Sequence, residues 1–154
     1  MIEIRTCLDS DLCAAERVAA DAFAHLRQLC RPSPDAVARK HEMESRLTRL
    51  VALDGSEVVG TVQYRIDEDR LHIIGLAVAP PRQRQGIARA LVSHLLHIAR
   101  DHRCRALSLY TIEETGNVHV FERLGFTVIS RHEAPDLLSI SGAPLNEAFM
   151  ERVL

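Results

Sequence analysis

Apolar and polar residues alternate through Met1-Ile2-Glu3-Ile4-Arg5, which predicts an opening strand from Ile2 to Cys7. The period then changes to a helical one. Leu12, Ala15, Val18, Ala19 and Phe23 recur on one face of a helix that Asp9 or Ser10 can cap. Arg31-Pro32-Ser33-Pro34-Asp35 breaks that pattern, and Pro34-Asp35 opens a second helix reaching 43–46. Leu50–Leu53 and Val58–Tyr64 flank the polar turn Asp54-Gly55-Ser56-Glu57 and read as a β-hairpin. A further turn at Asp67-Glu68-Asp69 leads into the apolar strand Leu71–Val78.

The longest helical pattern runs from Gly86 to about Arg103. Ile87, Leu91, Leu95 and Ile98 form one stripe beside Ala88, Val92, Leu96 and Ala99. Its length is about 27 Å, enough to cross a sheet face. Ala106–Ile112 is the next strand, and a strand–helix–strand unit of this size implies a parallel pair with a right-handed crossover. Asn117–Leu124 reads as a short helix stopped by Gly125, Phe126–Ser130 as a strand, Pro135–Pro144 as a loop, and Ala148–Leu154 as a last strand. There is no internal repeat, low-complexity tract or linker, so residues 1–154 form one mixed α/β domain.

Composition narrows the class. The chain has 154 residues, 47% hydrophobic and 26% charged, as a soluble globular domain does. A net charge of −2 gives no electrostatic reason to expect a nucleic acid or an anionic membrane as partner. All but one of the 19 cations are Arg, Lys40 being the exception. Cys7, Cys13, Cys30 and Cys104 are scattered without a CxxC pair and read as free thiols of a reducing compartment. No signal-peptide pattern and no membrane-length apolar run is present, so the expected location is the cytoplasm. His94, His97 and His102 lie along the long helix, but no Cys or carboxylate stands at matching offsets, and no metal site is expected.

The most telling stretch is Val78-Ala79-Pro80-Pro81-Arg82-Gln83-Arg84-Gln85-Gly86-Ile87-Ala88. It compresses the end of a strand, a polar turn and a helix start. Unpaired N–H groups at a helix N-terminus stabilise a phosphate or pyrophosphate. Gly86 leaves the backbone open to close approach, and Arg82, Arg84 and Arg89 add positive charge.

With Gln83-Arg84-Gln85-Gly86-Ile87-Ala88 after one strand and Phe121-Glu122-Arg123-Leu124-Gly125-Phe126 before another, the chain resembles the GCN5-related N-acetyltransferase (GNAT) family. The matched span runs from about Leu71 to Phe126. The resemblance implies a central twisted mixed sheet of six to seven strands, with a splayed parallel pair in the middle and about four helices. It implies acetyl-CoA as cosubstrate. Its pantetheine arm would enter the splay against Leu76, Ala77 and Val78, and its pyrophosphate would rest on Gln83, Arg84, Gln85, Gly86, Ile87 and Ala88. Asn117 and Phe121 would flank the far side. Arg84 stands where the family frequently has Gly.

Acetyl transfer to an amine needs a base to remove the ammonium proton. His72 is the first candidate, on the strand where several family members carry their base; the competing role is a solvent-facing strand end. Alternation puts His72, Ile74, Leu76 and Val78 on one face unless a bulge intervenes. The family's usual acid, a Tyr, falls on Phe121, which has no proton to give. Tyr110 is a candidate donor or else a strand aromatic. Glu113 and Glu114 can attract a cationic substrate or simply face water, and His119 can lie near the thioester or on the surface. By analogy the acceptor, a small-molecule or peptide amine, would bind near 23–43 and 131–144, a region mixing Arg27, Arg31, Asp35, His132, Glu133 and Asp136. An acyl-CoA-binding regulatory module on the same fold is the alternative, and a longer acyl chain or an oxygen nucleophile is a third. Neither a monomer nor a homodimer is favoured.

Overall fold

The computed structural model describes residues 1–134 and 137–154, with the side chains of His41 and Ser45 excepted. Seven strands form one twisted sheet in the order β1-β3-β4-β5-β6-β9-β7. They are β1 (Ile2–Thr6), β3 (Thr48–Asp54), β4 (Glu57–Asp67), β5 (Arg70–Val78), β6 (Ala106–Ile112), β7 (Thr127–Glu133) and β9 (Asn146–Val153). Only β5 and β6 run parallel; every other neighbour pair is antiparallel. Two short strands, β2 (Cys30–Pro32) and β8 (Leu137–Ser139), pair outside this sheet.

Among the described residues there are five α-helices, against about four expected: α1 (Leu12–Ala22), α2 (Ala24–Leu29), α3 (Pro34–Met43), α4 (Ile87–Asp101) and α5 (Asn117–Arg123). The helical pattern up to Phe23 continues after a break as the short α2. Ser33 caps α3 by accepting the Ala36 N–H at 3.2 Å, with Pro34 in the first turn. The expected loop 135–144 contains β8, which three residues could not announce by alternation. Pro135 and Asp136 lie outside the described residues.

The apolar stripe of α4 covers one sheet face. Ile87, Leu91, Val92, Leu95, Leu96 and Ala99 meet Leu50, Val59, Val62, Leu71, Ile73, Leu107 and Met150. On the other face, α1 sets Ala15 and Val18 against Val51, Leu53, Val58 and Ala77. Helix α1 reaches only part of that face. Tyr110 on β6 is 51% exposed, and Ile129 on β7 is 55% exposed.

The parallel pair is joined at Arg70↔Ala106, Leu71↔Leu107 and His72↔Ser108, and no further. Beyond His72, β5 bulges. The register against β4 shifts between Thr61↔Ala77 and Gln63↔Ile74, which puts Gly75 and Leu76 opposite Val62. Gly75 holds φ +69°, a left-handed conformation that glycine adopts without strain. A bulge bends its strand, whereas β6 is held straight along its whole length by β9. The two strands therefore part, as the resemblance implied.

The bulge also corrects the predicted alternation. Leu71 and Ile73 pack under α4 before it, and Leu76 and Val78 after it, while Ala77 packs under α1. His72 therefore does not share a face with Leu76 and Val78.

Gly75→Ala tests this geometry. A Cβ there would meet the Phe23 ring at an ordinary 3.8 Å, so the penalty is backbone strain. The expected loss is about 1 kcal/mol, read as a lower urea midpoint at unchanged slope. An unchanged midpoint would rule out the strained conformation.

Candidate active site

Parting β5 from β6 exposes backbone along both strands. The Ala79 N–H bonds the Val59 carbonyl at 2.9 Å, so antiparallel alternation turns the Val78 amide and carbonyl away from β4 and into the gap. The Gln83 side-chain amide donates to that carbonyl at 3.2 Å. Ala77 pairs with Thr61, which directs its backbone to β4 and takes it out of the predicted contact set. Leu76 alternates with Ala77 and faces the gap with Val78.

The turn after β5 reaches α4 through Gly86 in a left-handed conformation, φ +84°. The first bond of α4 is Ala90 N–H to Gly86 carbonyl at 3.0 Å, so the N–H groups of Ile87, Ala88 and Arg89 have no carbonyl within the helix. A Cβ built on Gly86 meets nothing within 4 Å, so an anion can approach there. Arg84 is also left-handed, at φ +63°, the conformation a glycine would take more cheaply. Arg82 turns away from the helix start. Its guanidinium binds Asp54 at 2.6 Å and Gln85 at 3.2 Å, tying the turn to the β3–β4 hairpin. That contact holds the Asp54 carboxyl below its usual range. The fixed positive charge of the cradle thus comes from main-chain dipoles rather than Arg82.

From the gap a cleft of about 480 Å³ opens, walled by Gly75 and Leu76 on one side and Leu109, Tyr110 and Thr111 on the other. Asn117 and Phe121 of α5 line it, and Phe23 and Leu26 reach it from the α1–α2 region. Phe121 packs edge-on to Phe126, with ring centroids 5.9 Å apart.

His72 opens instead on a neighbouring polar cavity of about 500 Å³, together with Arg65, Asp67, Arg70, Ser108 and Phe149; Tyr110 lines both spaces. The His72 Nδ1 and Ser108 Oγ are hydrogen-bonded at 2.9 Å, and Tyr110 stands edge-on to the imidazole at 5.5 Å. Burial, aided by the Arg65 and Arg70 cations and opposed by Asp67, pushes the His72 pKa down from 6.5 to about 4. The ring is therefore neutral at working pH. It is free to accept a proton, but holds it weakly.

Glu113 lines neither space, and its carboxylate takes the Arg131 guanidinium at 2.5 Å. Glu114 accepts the Asn146 N–H at 2.8 Å. His119 is exposed and pairs with Glu122 at 3.2 Å. Two polar residues enter the site that the sequence did not single out, Ser108 behind His72 and Glu147 in the cleft wall. An isolated Gly inside an apolar strand was the one available signal for the bulge.

No helix among the described residues is long and apolar enough to cross a membrane, and none of their His, Cys, Asp and Glu side chains group to hold a metal ion.

Residues 18–126 match the profile of the acetyltransferase (GNAT) family. Solved structures share the fold. The ribosomal-protein-S18-alanine N-acetyltransferase of Escherichia coli superposes with a TM-score of 0.76 at 20% identity, over 99% of this chain and 94% of that one. A GNAT-family protein of Desulfovibrio desulfuricans gives 0.74 at 20% identity, over 99% of both chains. A GNAT-family acetyltransferase of Elizabethkingia anophelis with acetyl-CoA bound gives 0.69 at 17% identity, over 99% and 98%.

The depressed His72 pKa has a consequence for stability. Between 6.5 and about 4 the unfolded chain binds the proton and the folded chain does not, so stability falls as pH drops through this window. The expected loss attributable to His72 between pH 7 and pH 5 is about 2 kcal/mol, and His72→Gln should remove it. Urea midpoints of both proteins across that window check this. Parallel curves would refute it.

Proposed function

The chain belongs to the acetyltransferase (GNAT) family, and on that premise we propose that it transfers the acetyl group of acetyl-CoA to a primary amine of a small molecule or peptide, by direct attack in a ternary complex. The observation that carries this reading is the coincidence of the β5–β6 gap with the free N–H groups that open α4. The pyrophosphate would be held by the N–H groups of Ile87, Ala88 and Arg89, approached over Gly86. The pantetheine amides would pair with Leu76 and Val78, the Gln83 side chain giving up the Val78 carbonyl to them. Asn117 and Phe121 would close the far side of the arm.

In the transfer, the amine nitrogen bonds to the thioester carbon, the C–S bond breaks, and the ammonium proton leaves to water held at His72. Ser108 fixes one imidazole nitrogen, which leaves Nε2 for that water. Phe121 has no proton for the departing thiolate. Tyr110, whose side chain lines both the cleft and the His72 cavity, would supply that proton. The same two facts, a weakly basic His72 and a Phe at 121, favour the second reading of a module that binds acyl-CoA without turnover.

Thiol release from acetyl-CoA across a broad amine panel separates the two: turnover with any amine supports transfer, and binding without turnover throughout supports the module. In an active enzyme, His72→Gln should lower kcat about 100-fold, and Phe121→Tyr should raise it about tenfold. A kcat unchanged in His72→Gln would discard His72. Gly86→Ile should weaken CoA binding at least about tenfold, while strain at positive φ lowers the melting temperature by only a few degrees. Retained CoA affinity would overturn the cradle assignment.

A further inference from the structure

We propose that Glu147 receives the ammonium of the acceptor, and that the acceptor is an amine bearing an apolar group with no carboxylate beside the nitrogen. The proposal rests on the acetyl-transfer reading and adds the chemical class of the acceptor.

Among the described residues the wall of the cleft contains no Arg and no Lys. Its titratable side chains, apart from Tyr110, are Glu147 and the exposed His25 of α2. Among the described residues Glu147 is the one carboxylate there, on β9 opposite Ile112, with its side chain only 21% exposed. Its Oε1 meets Nε2 of His132, on β7, at 2.9 Å. Among the described residues Oε2 has no partner. Two charges on neighbouring segments are already engaged: Arg131 by Glu113 at 2.5 Å, and Glu114 by two donors of Asn146. A carboxylate with one oxygen unengaged, in a half-buried wall with no opposing Arg or Lys, attracts a cation. It equally repels an anion brought alongside that cation, so a free α-amino acid, whose carboxylate sits one carbon from the amine, is disfavoured.

The surroundings set the rest of the ligand. Ile112 is buried, and Leu26 and Leu137 pack beside it in a small apolar cluster that also lines the cleft. A group attached to the amine would lie against these side chains, where apolar surface gains most and a second charge would lose its water. Gly75 and Leu76 stand across the same cleft, so an amine at Glu147 faces the strand proposed to carry the donor.

Leucinamide and leucine share the nucleophile and the side chain and differ in the carboxylate. Calorimetric titration of both into protein saturated with CoA measures binding without turnover. Wild-type protein should bind leucinamide at least about tenfold tighter than leucine. Glu147→Gln should erase that difference while the Kd for CoA changes less than about twofold. Equal affinities in the wild type, no measurable binding of leucinamide, or a difference that survives Glu147→Gln each overturn the proposal. The wild-type comparison stands by itself if the variant does not fold. CoA binding in the same series reports separately on the acetyl-transfer reading, since its failure leaves no donor site at all.

Discussion

The constraint on which this molecule depends is the early end of the β5–β6 ladder. Three residue pairs hold the parallel strands together, and the pairing stops at His72↔Ser108. A full ladder would have filled the middle of the sheet with backbone bonds and closed the gap from which the cleft opens. The sheet tolerates the break because each strand is secured on its other side, β5 by β4 and β6 by β9. The cost is a row of unsatisfied amides and carbonyls, which is tolerable only where water or a ligand can reach them. Gln83 reaching back to the Val78 carbonyl shows how one of those groups is satisfied in the free protein.

The same break organises the charge. The helix that begins past the gap points its N-terminus at one end of it, and the anchoring of that end is internal. Arg82 is tied to Asp54 on the β3–β4 hairpin, so the turn is held in place by an ion pair that leaves the helix N–H groups free. At the other end, the cations are neutralised within the sheet: Arg65 by Asp67 and Arg70 by Glu151. His72 sits between these ends, buried enough that it stays neutral. What it offers its cavity is then an imidazole oriented by Ser108, with a lone pair rather than a charge.

Much of the donor half was legible in the sequence because it is encoded by neighbours in the chain. Strand, turn, Gly86 and helix follow one another within a few residues, and the local period changes announce each of them. The strand Ala106–Ile112 has the boundaries its pattern gave. What was not legible depends on pairings between distant segments. The face of His72 was misassigned relative to Leu76 because one extra residue at Gly75 reverses the alternation, and only the β4 register fixes where that residue falls. Helix α2 and strands β2 and β8 are too short to repeat a period, and the two strands exist because Cys30–Pro32 and Leu137–Ser139 find each other across more than a hundred residues.

That distinction also explains why the proposed acceptor site was harder to read than the proposed donor site. Glu113 stood out in sequence because it follows a strand that ends at the gap, yet the fold gives its carboxylate to Arg131. Glu147 had no such flag, being one acidic residue near the start of a terminal strand. It becomes distinctive only when β9 inserts between β6 and β7, bringing Ile112 to one side of it and His132 to the other. A cofactor that binds through main-chain groups leaves its mark in a contiguous motif, since glycine and a helix start suffice. An acceptor recognised by side chains is specified by which residues the sheet order sets side by side. The insertion of β9 is therefore the step at which the fold acquires a cleft with its own charge.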